Sequence, residues 1–180
     1  TRVDASKQYV QSLRSKLSDA QGRQNGVDEL RNEARAARDK AVAKLMADFD
    51  EVMKLYNEGV VGKYTEAIGL LDKAAELSKD AANLAKGDVR RQLEAESAAR
   101  LAEKAKLLND LVMITGNFGS SLTLLAEQGD RAVSGSQWQK FADAAGKVKD
   151  DQERFIADAT TAVNNATQIT AELTGGAAAE

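Results

Sequence analysis

The chain contains no cysteine, no proline and no histidine among its 180 residues. The absence of cysteine excludes disulfide bonds and thiolate chemistry. The absence of histidine removes the commonest general base and the commonest transition-metal ligand. Nucleophilic catalysis would then need a serine–lysine or carboxylate scheme, and no motif for either is present. We therefore predict a protein without enzymatic activity, cofactor or metal site.

Aromatic residues are scarce, at 4% of the chain, and charge is nearly balanced, with 25 basic and 28 acidic residues. A nucleic-acid-binding protein would show a basic excess, so we expect no nucleic-acid partner. No apolar run reaches the length of about 18 residues that a membrane span needs. Alanine is the most frequent residue, and proline, which costs about 3 kcal/mol inside a helix, is missing altogether. This composition is typical of long helices that each bury a narrow stripe.

The clearest pattern lies between Ser136 and Leu173. Apolar or small residues recur there every three or four positions, with one polar gap at Gln152; they are Trp138, Phe141, Ala145, Val148, Phe155, Ala159, Ala162, Ala166, Ile169 and Leu173. This spacing predicts a helix of about 57 Å that buries one face. Ser136 is the predicted N-cap, and Gly175 with Gly176 the predicted end. Such a helix needs partners of similar length.

Similar but weaker patterns fill the rest of the chain, separated by glycine-containing segments at 22–26, 57–63, 87 and 129–135. At 22–26 the sequence allows one long kinked helix or a tight helical corner, of which the corner is preferred. We predict an all-α fold. Its architecture is an elongated antiparallel helical bundle of three long helical runs and two shorter ones, with coiled-coil-like packing. Residues 1–174 are expected to form one domain, and residues 175–180 a flexible tail of small residues. Around Gly116–Gly119 the sequence allows either a continuous helix or a short break.

Candidate binding residues are few. Arg31, Arg35 and Arg38 lie one turn apart on a predicted helix and form the only candidate face for an anionic ligand, although interleaved acids make a solvated face the simpler interpretation. Asn165 begins an N-x-T glycosylation sequon, which could be occupied only in a secreted chain. Trp138 is expected to close the end of the core; the alternative is an anchor for a partner protein.

Two further clusters have simple structural explanations. Asp151 and Glu153 flank the gap at Gln152 and are expected to lie in water at the edge of the stripe, because unpaired acids are rarely buried. Ser120 and Ser121 follow two glycines in the stretch GNFGSS, but the lysine of a phosphate-binding P-loop is missing. We interpret this stretch as a flexible break in a helix.

The segments KAAELSKDAANLAKGD and RLAEKAKLLNDL show the character of the whole chain: alanine-rich helices broken by small polar turns. In this composition and layout the chain resembles the alanine-rich surface proteins of African trypanosomes, in particular the glutamic acid/alanine-rich protein, although aspartate here outnumbers glutamate. The resemblance implies a non-enzymatic coat protein on the extracellular face of the plasma membrane. A glycolipid anchor added beyond Glu180 would hold it there, and neighbouring coat molecules and the host environment would be its partners.

Two other classes remain open. A ligand-binding receptor, or a sensor domain of the chemoreceptor type, is also built from long alanine-rich helices and would use the face of Arg31, Arg35 and Arg38. A cytoplasmic coiled-coil scaffold would form a homodimer through an a/d seam. The sequence leaves the oligomeric state undecided.

Overall fold

The computed structural model describes the backbone of residues 2–176 and the side chains of residues 8–175. The elements are α1 (Arg2–Lys54), a π-helical segment (Leu55–Val61), α2 (Gly62–Leu84), α3 (Gly87–Gly135) and α4 (Trp138–Gly176). The described residues contain no strand. The all-α prediction is therefore confirmed.

The number of helices differs from the prediction. Lys54, Val61 and Gly62 all keep right-handed helical backbone angles, so α1, the π-helical segment and α2 form one continuous helix. We call this helix, residues 2–84, the first helix. Three continuous helices result, where the sequence predicted three long and two shorter runs. The turn predicted at 57–63 and the corner preferred at 22–26 are wrong, whereas the alternative of one helix through 22–26 agrees with the structure. A glycine inside a helix costs only about 1 kcal/mol and does not by itself end it.

The real connections are short, and one was predicted. Gly87 has a φ of +63°, a conformation that favours glycine, and α2 ends three residues before it at Leu84, with Ala85 as its C-cap. The loop predicted at 129–135 is wrong, since α3 continues to Gly135 and Ser136 then turns with a φ of 55°. Ser136 is therefore the C-cap of α3 and not the N-cap of α4. Around Gly116 the helix is continuous, so the flexible break predicted in the stretch GNFGSS is wrong.

The C-terminal helix continues through both glycines that were predicted to stop it, as far as Gly176. The rest of the predicted tail, residues 177–180, lies outside the described residues. None of the described helices has the length and hydropathy that a membrane crossing requires.

The chain divides into two compact units, residues 1–44 and residues 45–180. Side chains 8–44 of the first unit belong to a single helix, and those of Leu17 and Leu30 are 61% and 67% exposed. Every buried side chain among residues 8–175 belongs to the second unit. A single domain over residues 1–174 stays a prediction.

Contacts within the second unit give the directions of its helices. Tyr56 meets Thr115 and Ala75 meets Ser97, so residue numbers rise along the first helix while they fall along α3. Asp48 meets Lys149, and Leu70 meets Thr170, so numbers rise together along the first helix and α4. The first helix and α4 therefore run in the same direction, and α3 runs opposite to both.

The stripe predicted on the C-terminal helix is the face of α4 that packs against the other helices of the second unit. It supplies buried side chains along most of its length: Phe141, Ala145, Val148, Ala159 and Ala166. Around Phe118 and Leu125 of α3 the core contains large apolar residues, whereas between Ala67 and Ala82 it consists mainly of alanine with buried hydroxyls. Trp138 packs against the large-residue cluster, which confirms the core interpretation.

Candidate functional site

The most unusual backbone of the second unit is the π-helical segment, residues 55–61. A π-helix inserts extra residues into a helical turn and occurs preferentially at functional positions. Its Gly59 lies directly against Ile156 of α4, and a Cβ at this position would overlap with the Ile156 side chain. The glycine therefore permits the first helix and α4 to approach closely at the middle of the unit.

Next to this segment, Tyr56 crosses to α3. Its ring stacks on Phe118 with 3.9 Å between the ring centroids and 12° between the planes. Its hydroxyl donates a hydrogen bond to Thr115 Oγ1 at 2.8 Å, and Thr115 in turn donates to the carbonyl of Leu111 at 2.7 Å. The ring and hydroxyl together fix the spacing of the two helices, since stacking and a directed hydrogen bond each tolerate little displacement.

Phe118 also lines a groove of about 340 Å³ between α3 and α4. Its walls combine polar and aromatic side chains: Asn117, Phe118, Ser120, Ser121, Asp151, Gln152, Arg154 and Phe155. We call this the Gln152 groove. Gln152 is only 2% exposed, and its Oε1 has no hydrogen-bond partner among the described residues. An unpaired buried acceptor costs about 1–3 kcal/mol of stability.

The charged groups of the groove form one ion pair. Arg154 donates to Asp151 Oδ1 at 3.1 Å, and the Arg154 guanidinium lies 5.1 Å from the centroid of the Phe155 ring. Both charged side chains are more than half exposed, so the pair is accessible to a solute. Glu153 is exposed as well, and the prediction that the acids beside Gln152 lie in water is confirmed.

A second polar cluster connects the first helix to α4 at Lys149. Its Nζ donates to Asp48 Oδ1 at 2.8 Å and also to Glu51. Burial lowers the pKa of Lys149, but the hydrogen bonds and charges of the two carboxylates outweigh this and raise the pKa above its usual 10.5. The ammonium therefore stays charged at neutral pH and acts as a cross-helix tie.

Two described side chains, Tyr64 and Lys149, have clearly shifted pKa values. Burial, and then the charges of Asp110 and Asp158, raise the pKa of Tyr64 above 10.0, and the pKa of Lys149 is raised as well. Both shifts lead away from the range near 7 in which a general acid or base works best. Within the described residues, no group of three or more acidic side chains could hold a metal ion.

The arginines predicted as an anion face all lie on α1 in the first unit and are exposed. Arg31 lies 3.9 Å from Asp28, one turn away. A shallow depression along α1 is lined by Arg31 but by neither Arg35 nor Arg38. Within unit 1, no second helix lies beside the three arginines to complete a binding site. Asn165 is exposed on α4, and its glycosylation stays a prediction.

The hydroxyls of the stretch GNFGSS are used inside α3. Ser120 donates to the carbonyl of Gly116, four residues earlier, at 3.2 Å. The stretch is an ordinary helical turn and does not form a phosphate-binding loop. Sequence reasoning missed the cross-helix contacts of Tyr56, Gly59 and Lys149, because their partners are distant in sequence. The polar gap at Gln152 was the one sequence signal of the groove.

No family model, curated protein or solved structure matches the chain. Its function therefore has to be inferred from its residues and their geometry.

Replacing Lys149 by methionine should lower the free energy of unfolding by about 1–3 kcal/mol at pH 7, because Asp48 and Glu51 lose the charged donor that they share. A lysine whose pKa is raised on folding stabilises the protein below about pH 10.5, and this contribution is lost as the pH rises through the folded-state pKa. The difference between wild type and variant should therefore shrink above that pH. Urea unfolding over pH 7–11 measures both effects.

The matched control is Lys147→Met, two residues away on the exposed face of α4. It should change the free energy of unfolding by less than about 0.5 kcal/mol, as exposed substitutions usually do. Equal effects of the two substitutions would contradict a specific tie at Lys149.

Proposed function

We propose that the protein is a non-enzymatic coat protein that protects a cell surface sterically. The observation that supports this most is the shortness of its connections. Ala85–Lys86 and Ser136–Gln137 are all that separate the three continuous helices. Catalytic and binding residues are commonly carried by loops, and this chain has almost none over residues 2–176. The protein would then act through the sides and ends of its helices.

A coat also needs molecules that crowd together without strong repulsion. Many exposed charges are paired with an opposite charge one turn away on the same helix, as in Arg90–Glu94 at 2.8 Å and Arg154–Asp151 at 3.1 Å. Such pairs contribute little to stability, but the near balance of 25 basic and 28 acidic residues keeps the net charge of the chain small. This surface supports close packing against neighbouring coat molecules.

The helix directions suggest how such a protein would stand on a membrane. We infer that residues 45–176 form an elongated bundle with coiled-coil-like packing, since α4 alone has 39 residues and a length of about 58 Å. Leu84 and Gly176 end helices that run in the same direction, so an anchor beyond Glu180 would place the Ala85–Lys86 connection near the membrane. The connection at Ser136–Gln137 would then face outward.

The test is enzymatic release from intact cells that express the gene with its natural flanking sequences. Phosphatidylinositol-specific phospholipase C should release the protein into the medium. An epitope inserted at Gln137 should bind antibody on intact cells better than the same epitope inserted at Lys86, because a crowded layer shields its membrane side. The coat proposal would be contradicted if the protein were found only in the cytosol. It would also be contradicted if the protein stayed on the cells under conditions that release a control protein with a glycolipid anchor.

The Gln152 groove supports a second candidate, a receptor for a small polar ligand. Its chemistry suits the zwitterion of an amino acid: Asp151 and the unpaired Oε1 of Gln152 would accept from the ammonium group, and Arg154 would donate to the carboxylate. Phe118 and Phe155 offer apolar contact for the ligand side chain. The arginine face of α1 is not needed for this candidate.

Free amino acids, tested singly at about 10 mM, should raise the thermal unfolding midpoint of the full chain if one of them binds. The increase should disappear in Gln152→Leu and persist in Gln168→Leu, a control on the exposed face of α4. No increase with any amino acid, or one that survives Gln152→Leu, would contradict the receptor.

A further inference from the structure

The outward face of α3 carries a continuous uncharged surface. We call it the outer stripe; its residues follow each other in steps of three or four, lie on one side of the helix and are all exposed: Ala98, Leu101, Ala105, Leu108, Val112, Gly116, Gly119, Thr123 and Ala126. The stripe is about 42 Å long. None of its nine residues takes part in the core of the second unit.

Two features distinguish the outer stripe from an ordinary solvated face. Charged residues make up 29% of the chain, yet none lies on the stripe between Glu94 and Asp130. Its larger side chains are also well exposed, at 48% for Leu101, 44% for Leu108 and 69% for Val112. An aligned apolar surface of this kind marks a contact site more often than isolated exposed residues do.

The glycines of the stripe give a second, independent indication. Gly116 and Gly119 lie in the interior of a 49-residue helix, where each costs about 1 kcal/mol relative to alanine. A Cβ built on either residue would meet nothing within 4 Å. The packing of this chain therefore does not require glycine at these positions, whereas a helix that approaches closely from outside would.

We propose that the outer stripe binds the outer stripe of a second copy of the chain, antiparallel and with the two-fold axis at Val112. The order of side-chain sizes along the stripe selects this arrangement. Its leucines precede Val112 and its glycines follow it, so residues at equal distances from Val112 meet: Leu108 meets Gly116, and the Ala105 side chain meets Gly119. On both sides of the axis, Leu108 of one copy thus lies over Gly116 of the other, and farther out Leu101 meets Thr123.

A parallel pairing would not do this. It would place Leu108 beside Leu108 and Gly116 beside Gly116, which crowds one half of the contact and leaves a gap in the other. An unrelated partner helix would not explain why Leu108 and Gly116 lie at equal distances on either side of Val112. A second copy accounts for the order of residues with no further component.

The expected contact is small and reversible. A strip about 42 Å long and 10 Å wide buries about 400 Å² on each copy, and about 800 Å² in total, which is below the size of stable interfaces. At each end Glu94 approaches Asp130 of the second copy, although Arg90, which donates to Glu94 at 2.8 Å, supplies a nearby cation. A weak dimer follows, and it does not depend on the coat function proposed above.

Sedimentation equilibrium of the full chain tests this. The average mass should rise from 19.3 kDa toward twice that value between about 1 µM and 1 mM. Val112→Glu should lose the increase, because it buries two charges at the axis, whereas Met113→Glu should keep it. Met113 is the matched control, 55% exposed and about 100° away around the helix. A constant single-chain mass, or Val112→Glu associating like wild type, would overturn the proposal.

Single-cysteine variants test the direction, because the chain has no cysteine of its own. Val112→Cys should form a disulfide-linked dimer with itself. Leu108→Cys should cross-link faster with Gly116→Cys than with itself, since two copies of residue 108 lie about 12 Å apart along the antiparallel contact, too far for a disulfide. Fastest linkage of Leu108→Cys with itself would show a parallel dimer and refute the antiparallel geometry.

Discussion

Burial of the narrow stripe of α4 is the constraint on which the rest of the second unit depends. Phe141, Ala145 and Val148 can leave water only if helices of similar length lie beside α4. The first helix and α3 meet this need, because the first helix contacts α4 at Lys149 and Thr170, and α3 shares a buried cluster with Phe141. Helical propensity makes the helices, but their mutual burial holds them in one register.

Register along these helices is set by the few features that interrupt the small-residue packing. Alanine contacts are nearly interchangeable, so a slip by one turn would cost little in the alanine-rich part of the core. The stack of Tyr56 on Phe118, the fit of Gly59 against Ile156 and the tie from Lys149 to Asp48 are not interchangeable. They all lie in the half of the unit with the larger side chains, which we expect to be the more stable half.

The sequence predicted the α4 stripe because its spacing is regular and its side chains are large enough to stand out. It also predicted the break at Gly87, where positive φ makes glycine a requirement. The prediction of helix ends from the sequence was wrong where a glycine lies inside a helix for another structural reason. Gly59 permits a close helix contact, and Gly116 faces outward, yet both resemble a helix end in a single sequence. The π-helical segment has no sequence signature, since its extra residue is stabilised by packing against α4.

The candidate site was likewise predictable only in its local features. Gln152 was visible as a polar gap, but its burial depends on Phe118 and Phe155, which lie on different helices. The arginine face of α1 followed a real spacing, and yet spacing on one helix cannot supply the second wall that a binding site needs. Local patterns thus identified faces, and only the packing of the helices showed which faces meet.

Amide hydrogen exchange of the full chain tests the central claim, that burial between helices stabilises residues 45–176. The account predicts the slowest exchange near Val60, Leu125 and Ala159, where side chains are almost completely buried, and fast exchange over residues 8–44, whose side chains are not buried. Protection of residues 8–44 equal to that around Leu125, or fast exchange at all three core positions, would contradict it.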